Sequence, residues 1–178
     1  IVNDNVTPGT SPNFFAYYLA PNGDRTRLRE AGYTEDEVPA GSHAQYVVPT
    51  QAYCDFLAED ARDTRTDVSV RVFEDKFLTE EVQIKMMVVK FKGSFANDTR
   101  SFDSDVPVYR LAEAYLLKAE VENALGNTDA ALQNLNVVAK RAYGVDNYYT
   151  ARTQDAIDNA IISEILKEFV AESKAWWA

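Results

Sequence analysis

Apolar positions recur at helical spacing through residues 106–142, VPVYRLAEAYLLKAEVENALGNTDAALQNLNVVAKRA. Val108, Leu111, Ala112, Tyr115, Leu116 and Ala119 stand at i, i+3, i+4, i+7, i+8 and i+11, which is one stripe of an α-helix. Pro107 suits a first turn, where its missing N–H costs nothing, and Asp105 is placed to cap. Gly126 supplies a left-handed residue to end the helix. Asn127 or Thr128 then caps a second helix, with Asp129 facing its positive end and Lys140 and Arg141 near its negative end. Ala131, Leu132, Leu135, Val138, Ala139 and Ala142 form the second stripe. So short a turn predicts an antiparallel pair, stripe to stripe, with Ala119 and Ala131 letting the backbones approach.

The pattern elsewhere is less regular. Residues 1–50 are broken by Pro8, Gly9, Pro12, Pro21, Gly23, Gly32, Pro39, Gly41 and Pro49, so no long helix fits there. PNGD at 21–24 reads as a tight turn. A helix starting at Thr50 places Tyr53, Phe56, Leu57 and Ala61 on one face. DVSVRVF at 67–73 alternates, with Val68, Val70 and Val72 on one side, and VQIKMMVVKF at 82–91 begins likewise. These predict two antiparallel strands, with Val88 and Val89 marking a bulge or burial on both faces. Residues 93–105 read as a polar loop. Thr153 can cap a last helix, whose apolar side carries Ile157, Ala160, Ile161, Ile165, Phe169 and Trp176. The predicted class is therefore mainly α: a tetratricopeptide-like helix pair plus a C-terminal helix, with a small β-hairpin and a loop-rich N-terminal part. We expect a single domain, 1–178, made of a loop-rich segment (1–50), a helix and hairpin (50–92) and a helical part (106–178).

Composition narrows the chemistry. The 178 residues are 46% hydrophobic and 12% aromatic, enough for a sizeable core. A net charge of −10 argues against nucleic acid as a partner and against docking by charge on an anionic membrane. The single cysteine, Cys54, allows no internal disulfide and reads as a buried, inert thiol among Tyr53, Phe56 and Leu57. The single histidine, His43, lies in a Gly-Ser loop and reads as exposed. Asp60, Asp63 and Asp67 stand among Arg62, Arg65 and Arg71, but the ligand order and glycine of an EF-hand are missing, so a solvated, salt-bridged surface is expected. Glu164, Glu168 and Glu172 recur every four residues. Their Glu-x-x-His partner for a di-metal site is missing, and a surface or structural role is expected. No metal and no cofactor are implied. No run of 18 apolar residues exists to span a membrane. Starting at Ile1 without Met, and stopping after Trp176-Trp177 inside a helical pattern, the chain reads as a fragment.

Several segments together resemble the SusD/RagB family. Asp63-Thr64-Arg65 before the Val-alternating strand is similar to its D-x-R. Tyr109 to Leu117, with Ala119-Glu120, resembles R-x-A-E-x-x-L-x-x-A-E, and Asn123 with Gly126 fits N-x-x-G. Leu135-Asn136, Val138 and Lys140-Arg141-Ala142 resemble I-N-x-V-R-x-R-A. Glu164, Glu168, Phe169, Glu172 and Trp176 match the closing E-R-x-x-E-F-x-x-E-G-x-R-W, although Ile165, Ser173 and Ala175 replace its Arg, Gly and Arg. The likeness covers roughly residues 50–178, and its motifs are structural.

The resemblance implies a non-enzymatic protein of Bacteroidetes, a lipoprotein exposed on the outer membrane. It would bind glycan or peptide nutrients and deliver them to a SusC-like TonB-dependent transporter. Its only membrane attachment would be a lipid anchor outside this chain. The expected ligand contacts are the aromatic residues Phe14, Phe15, Tyr17, Tyr18 and Tyr33, whose faces suit sugar rings or peptide side chains. The alternative is a helical-repeat scaffold that binds only protein. A hydrolase is the third reading, and one His, one Cys and no nucleophile-elbow motif leave it little beyond a carboxylate pair.

Overall fold

The computed structural model describes residues 48–75, 83–90, 94–96, 99–101 and 107–174. The chain divides into two compact units, Ile1–Phe56 with Asp67–Asp105, and Leu57–Thr66 with Val106–Ala178. The described residues are mainly helical.

Helix α1 (Gln51–Leu57) starts where its cap predicts. Thr50 Oγ1 accepts the backbone N–H of Tyr53 at 3.2 Å, satisfying one of the donors that a helix start leaves open. Cys54 is buried, and its burial and the neighbouring Asp55 charge push its thiol up, as expected of an inert cysteine. The helix is one turn shorter than expected, and Ala61 lies beyond it and exposed. The next element differs from the alternating pattern. Thr66–Ser69 forms a single helical turn, α2, and the strand starts only at β1 (Val70–Asp75). Val68 and Val72 are consequently exposed, and Val70 alone of the three is buried. Strand β2 (Gln83–Val88) pairs antiparallel with β1, setting Val70 opposite Val88 and Val72 opposite Met86. Val88 and Val89 are both buried, and the N–H of Val89 donates to the carbonyl of Ser69 at 2.9 Å. The expected polar loop after it contains a second, three-residue hairpin, β3 (Ser94–Ala96) with β4 (Thr99–Ser101). Asp103, Ser104 and Asp105 lie outside the described residues.

The second unit is built on the predicted pair, α3 (Leu111–Ala124) and α4 (Thr128–Tyr143). The turn between them is a Schellman motif. The N–H of Asn127 donates to Glu122 O at 2.8 Å and that of Gly126 to Asn123 O at 2.9 Å, with Gly126 at φ +78°. A residue with a Cβ is strained at that φ, which is why this turn needs glycine. Asn127 holds the cap position of α4 without a side-chain cap bond, its amide donating to Glu122 instead. Helix α5 (Gln154–Glu168) packs on both. Its cap residue, Thr153, has the extended backbone expected but makes no side-chain cap bond.

Leu116, Ala119, Ala131, Leu132, Leu135, Val138, Ile157, Ala160, Ile161 and Phe169 form one core. Ala119 and Ala131 are both fully buried, as the close approach of two backbones requires. Two expectations fail at the start of α3. The helix begins at Leu111, after Pro107, and both Val108 and Leu111 are exposed. Arg110 explains the shift: it is extended (φ −147°, ψ 161°), and its side chain is held by Glu168 at the end of α5 and by Glu172 beyond it. Trp176, expected on the last helix, lies outside the described residues, and α5 itself ends at Glu168.

Candidate functional site

Two Asp-x-Arg triplets follow one another directly, at 60–62 and 63–65. Both fold the same way. In each, the carboxylate accepts the backbone N–H two residues on, Arg62 to Asp60 at 3.0 Å and Arg65 to Asp63 at 2.9 Å. In each, it also pairs with the guanidinium of that residue, at 2.6 and 2.7 Å. The first copy keeps Arg62 exposed, as a solvated pair. The second is buried, which overturns the expectation of a solvated surface at Asp63.

The reason lies on α5 and the turn after it. Glu164, Glu168 and Glu172 are all buried, so the ladder is structural and internal and does not lie on the surface. Arg65 Nη1 donates to Glu164 at 2.8 Å and to Glu168 at 3.2 Å. Arg110 donates to Glu168 at 2.6 Å and reaches Glu172 with Nε at 2.7 Å and Nη2 at 2.9 Å, a two-pronged pairing. It also donates to the Glu168 carbonyl at 2.7 Å, satisfying a helix end. Arg141 reaches Glu168 from the rim at 3.3 Å. Lys167, itself buried, pairs with Glu59 at 3.5 Å.

Burial by itself would raise the carboxyls of Asp63 and Glu168. The hydrogen bonds and charge of Arg65 on the first, and of Arg110 and Arg65 on the second, overcome it and hold both below the ordinary carboxylate range. Burial likewise works against the Arg65 cation, but Asp63 and Glu164 more than offset it and raise its pKa.

Tyrosines close the network on one side. Tyr143 and Tyr149 each donate a hydroxyl to Glu164 Oε1, at 3.0 and 2.9 Å. Burial, then the Glu164 charge, pushes both phenols up. The Tyr143 and Tyr148 rings stack in parallel with centroids 3.8 Å apart, and Arg62 lies over Tyr148 as Arg65 lies over Tyr143. Tyr148 donates to Asp60 at 2.9 Å. Asn136, on α4, fixes the loop that carries these rings. Its amide donates to Tyr149 O and accepts Tyr149 N–H, both at 2.9 Å.

Between α4 and this loop lies an open cleft of about 320 Å³. Leu132 and Val137 form apolar floor, and Asp129, Gln133, Lys140 and Arg152 supply charge and amide groups. Two of the cleft's own pairs, Lys140 with Asp146 and Arg152 with Asp129, are largely exposed. Such a surface can exchange hydrogen bonds with a hydroxyl-rich or zwitterionic ligand, but it presents no paired acid and base for proton transfer. Among the described residues, no group of three or more His, Cys, Asp or Glu is placed to hold a metal ion.

Phe14, Phe15, Tyr17, Tyr18 and Tyr33, the expected ligand contacts, lie outside the described residues, as does His43. What sequence reading missed is the meeting of Arg65 and Arg110 with the glutamates. A signal for it existed. Glu164 and Glu168 fall seven residues after Ile157 and Ile161, on the apolar side of α5, and a charge there demands a buried cation.

Comparison with known proteins agrees with this architecture. The SusD family model (SusD_RagB) matches residues 74–178. A crystal structure of a SusD superfamily protein from Bacteroides fragilis is similar at a TM-score of 0.73 and 27% identity, covering 95% of this chain and 37% of that one. A SusD superfamily protein from Bacteroides vulgatus shares the fold at a TM-score of 0.65 and 23% identity, covering 92% and 38%. NanU from B. fragilis does so at 0.64 and 22%, covering 96% and 38%. The chain thus spans less than two fifths of the length of these solved relatives. No match was found among curated protein sequences.

Proposed function

Because the chain belongs to the SusD family, we propose that it is part of a cell-surface nutrient-binding lipoprotein that captures glycan or peptide and hands it to a SusC-like TonB-dependent transporter. The observation that carries this reading is the family match across residues 74–178. The use made of the acids in the described helical unit supports it. Asp63, Glu164, Glu168 and Glu172 are committed to arginine pairs, so these residues serve as framework and not as proton donors or nucleophiles. Binding then falls to aromatic faces, with Phe14, Phe15, Tyr17, Tyr18 and Tyr33 as the contacts. No helix among the described residues is long and apolar enough to cross a membrane, which accords with attachment by lipid outside these residues.

The test is titration of oligosaccharide and peptide libraries against the full-length protein, followed by Tyr17→Ala and Tyr18→Ala. Each stacked ring is worth about 1 kcal/mol, so the double variant should weaken binding by at least roughly tenfold. Unchanged affinity would remove the two tyrosines as contacts. A library with no binder at all would favour a scaffold that holds only protein.

A further inference from the structure

The cleft between α4 and the loop 144–152 has a wall fixed from behind. Asn136 clamps the Tyr149 backbone, Tyr149 anchors its hydroxyl on the buried Glu164, and Tyr148 anchors on Asp60. Asn147 turns the loop with a left-handed backbone, φ +52°, which asparagine tolerates better than most residues. A cleft held in this way is preformed, so a ligand entering it need not order the protein. Its volume of about 320 Å³ lies at the small end of ligand pockets.

Charge decides what such a cleft takes. Asp129, in the first turn of α4, pairs with Arg152 on the loop, and Lys140, in the last turn, pairs with Asp146 on the loop at 2.6 Å. Each end therefore holds one anion and one cation, and the two pairs stand roughly 16 Å apart along the helix. A ligand carboxylate meets Asp129 or Asp146 beside whichever cation it approaches. A ligand ammonium meets Arg152 or Lys140 in the same way. An uncharged ligand has no such conflict. Both cations keep N–H donors beyond those in the pairs, and both carboxylates keep lone pairs. Neighbouring hydroxyls can thus donate to the anion and accept from the cation while the pair stays intact. Between the ends, the side chains of Gln133, Asn147 and Thr150 are exposed and make no hydrogen bond among the described residues, and Leu132 and Val137 form the floor. We propose that, granted the nutrient-binding role above, this cleft binds an uncharged, hydroxyl-rich ligand of the size of a mono- or disaccharide.

The experiment titrates the full-length protein by calorimetry with maltose, cellobiose, mannobiose and chitobiose. Digalacturonate and deacetylated chitobiose serve as anionic and cationic counterparts. Gln133→Trp fills the cleft, and Lys140→Ala with Arg152→Ala removes its charged donors. All three side chains are exposed, so the fold should survive both changes. Ile162→Trp, exposed on α5 and away from the cleft lining, is the control. At least one neutral disaccharide should bind, with an affinity that does not change between low and high salt. Both cleft variants should weaken it at least about tenfold, and the control should not. Binding that is indifferent to the cleft variants overturns the proposal. So does tighter binding of a charged counterpart, or no binding by any of the four neutral sugars. If that failure comes with a library binder that depends on Tyr17 and Tyr18, nutrient capture still stands. A library with no binder at all removes that reading too.

Discussion

Glu168→Gln isolates the charge at the centre of the buried network. The substitution keeps the shape of the side chain, which is 5% accessible. It removes the acceptor shared by Arg110 at 2.6 Å, Arg65 at 3.2 Å and Arg141 at 3.3 Å. One end of the new amide is a donor, so it must face a guanidinium that also donates. Removing one partner from a buried ion pair costs about 3–5 kcal/mol, because the remaining charge stays out of water. Arg65 keeps Asp63 and Glu164, and Arg110 keeps Glu172, so the lower end of that range, about 3 kcal/mol, is expected. Arg141, whose side chain is 78% accessible, provides the contrast: Arg141→Ala should cost less than about 1 kcal/mol. Urea unfolding followed by circular dichroism measures both, with the m-value checking that the unfolded state is unchanged. A loss below about 1 kcal/mol for Glu168→Gln, or equal losses for the two variants, would refute the argument that burial sets the magnitude.

Three further outcomes follow from the same structure. Asp63 and Glu168 titrate below the ordinary carboxylate range in the native state, so the stability they contribute is complete above about pH 5 and is lost as pH falls through their native values. Acid titration of the folded fraction should show this loss, and Glu168→Gln should flatten it. Ala131→Glu, at a fully buried position between α3 and α4, combines overpacking with a buried charge and should cost at least about 2 kcal/mol in a denaturant melt. Asn136→Ala removes two hydrogen bonds to Tyr149 and should cost about 2 kcal/mol, with faster amide exchange at Tyr149 as the local signature.

The parts of this fold that could be read from the chain are those whose causes lie within a few residues. Gly126 announces the turn between α3 and α4 because a Schellman motif is closed by its own neighbours. Thr50 announces α1 for the same reason. Reading failed where a distant partner decides. The start of α3 is displaced to Leu111 because Arg110 answers to Glu168 and Glu172, some 60 residues later, and not to Pro107 beside it. Val68 follows a strand pattern yet sits in a helical turn, because alternation over three valines cannot specify where pairing with β2 begins. The glutamates were legible as a ladder but not as an interior, since nothing local to α5 names the arginines that admit them.

The left-handed backbone at Ser173, φ +59°, follows directly on Glu172 and stands where the resembled motif has glycine. Arg65 and Arg110 leave the ribosome well before Glu164, Glu168 and Glu172 do. A growing chain therefore carries two hydrated guanidinium groups on a half-made helical unit, and it cannot bury them until residues 164–172 have been translated. The helix pair can form early from its own sequence. Its final locking waits for the ribosome to release the acidic segment, which makes this unit sensitive to any pause or cut upstream of residue 164.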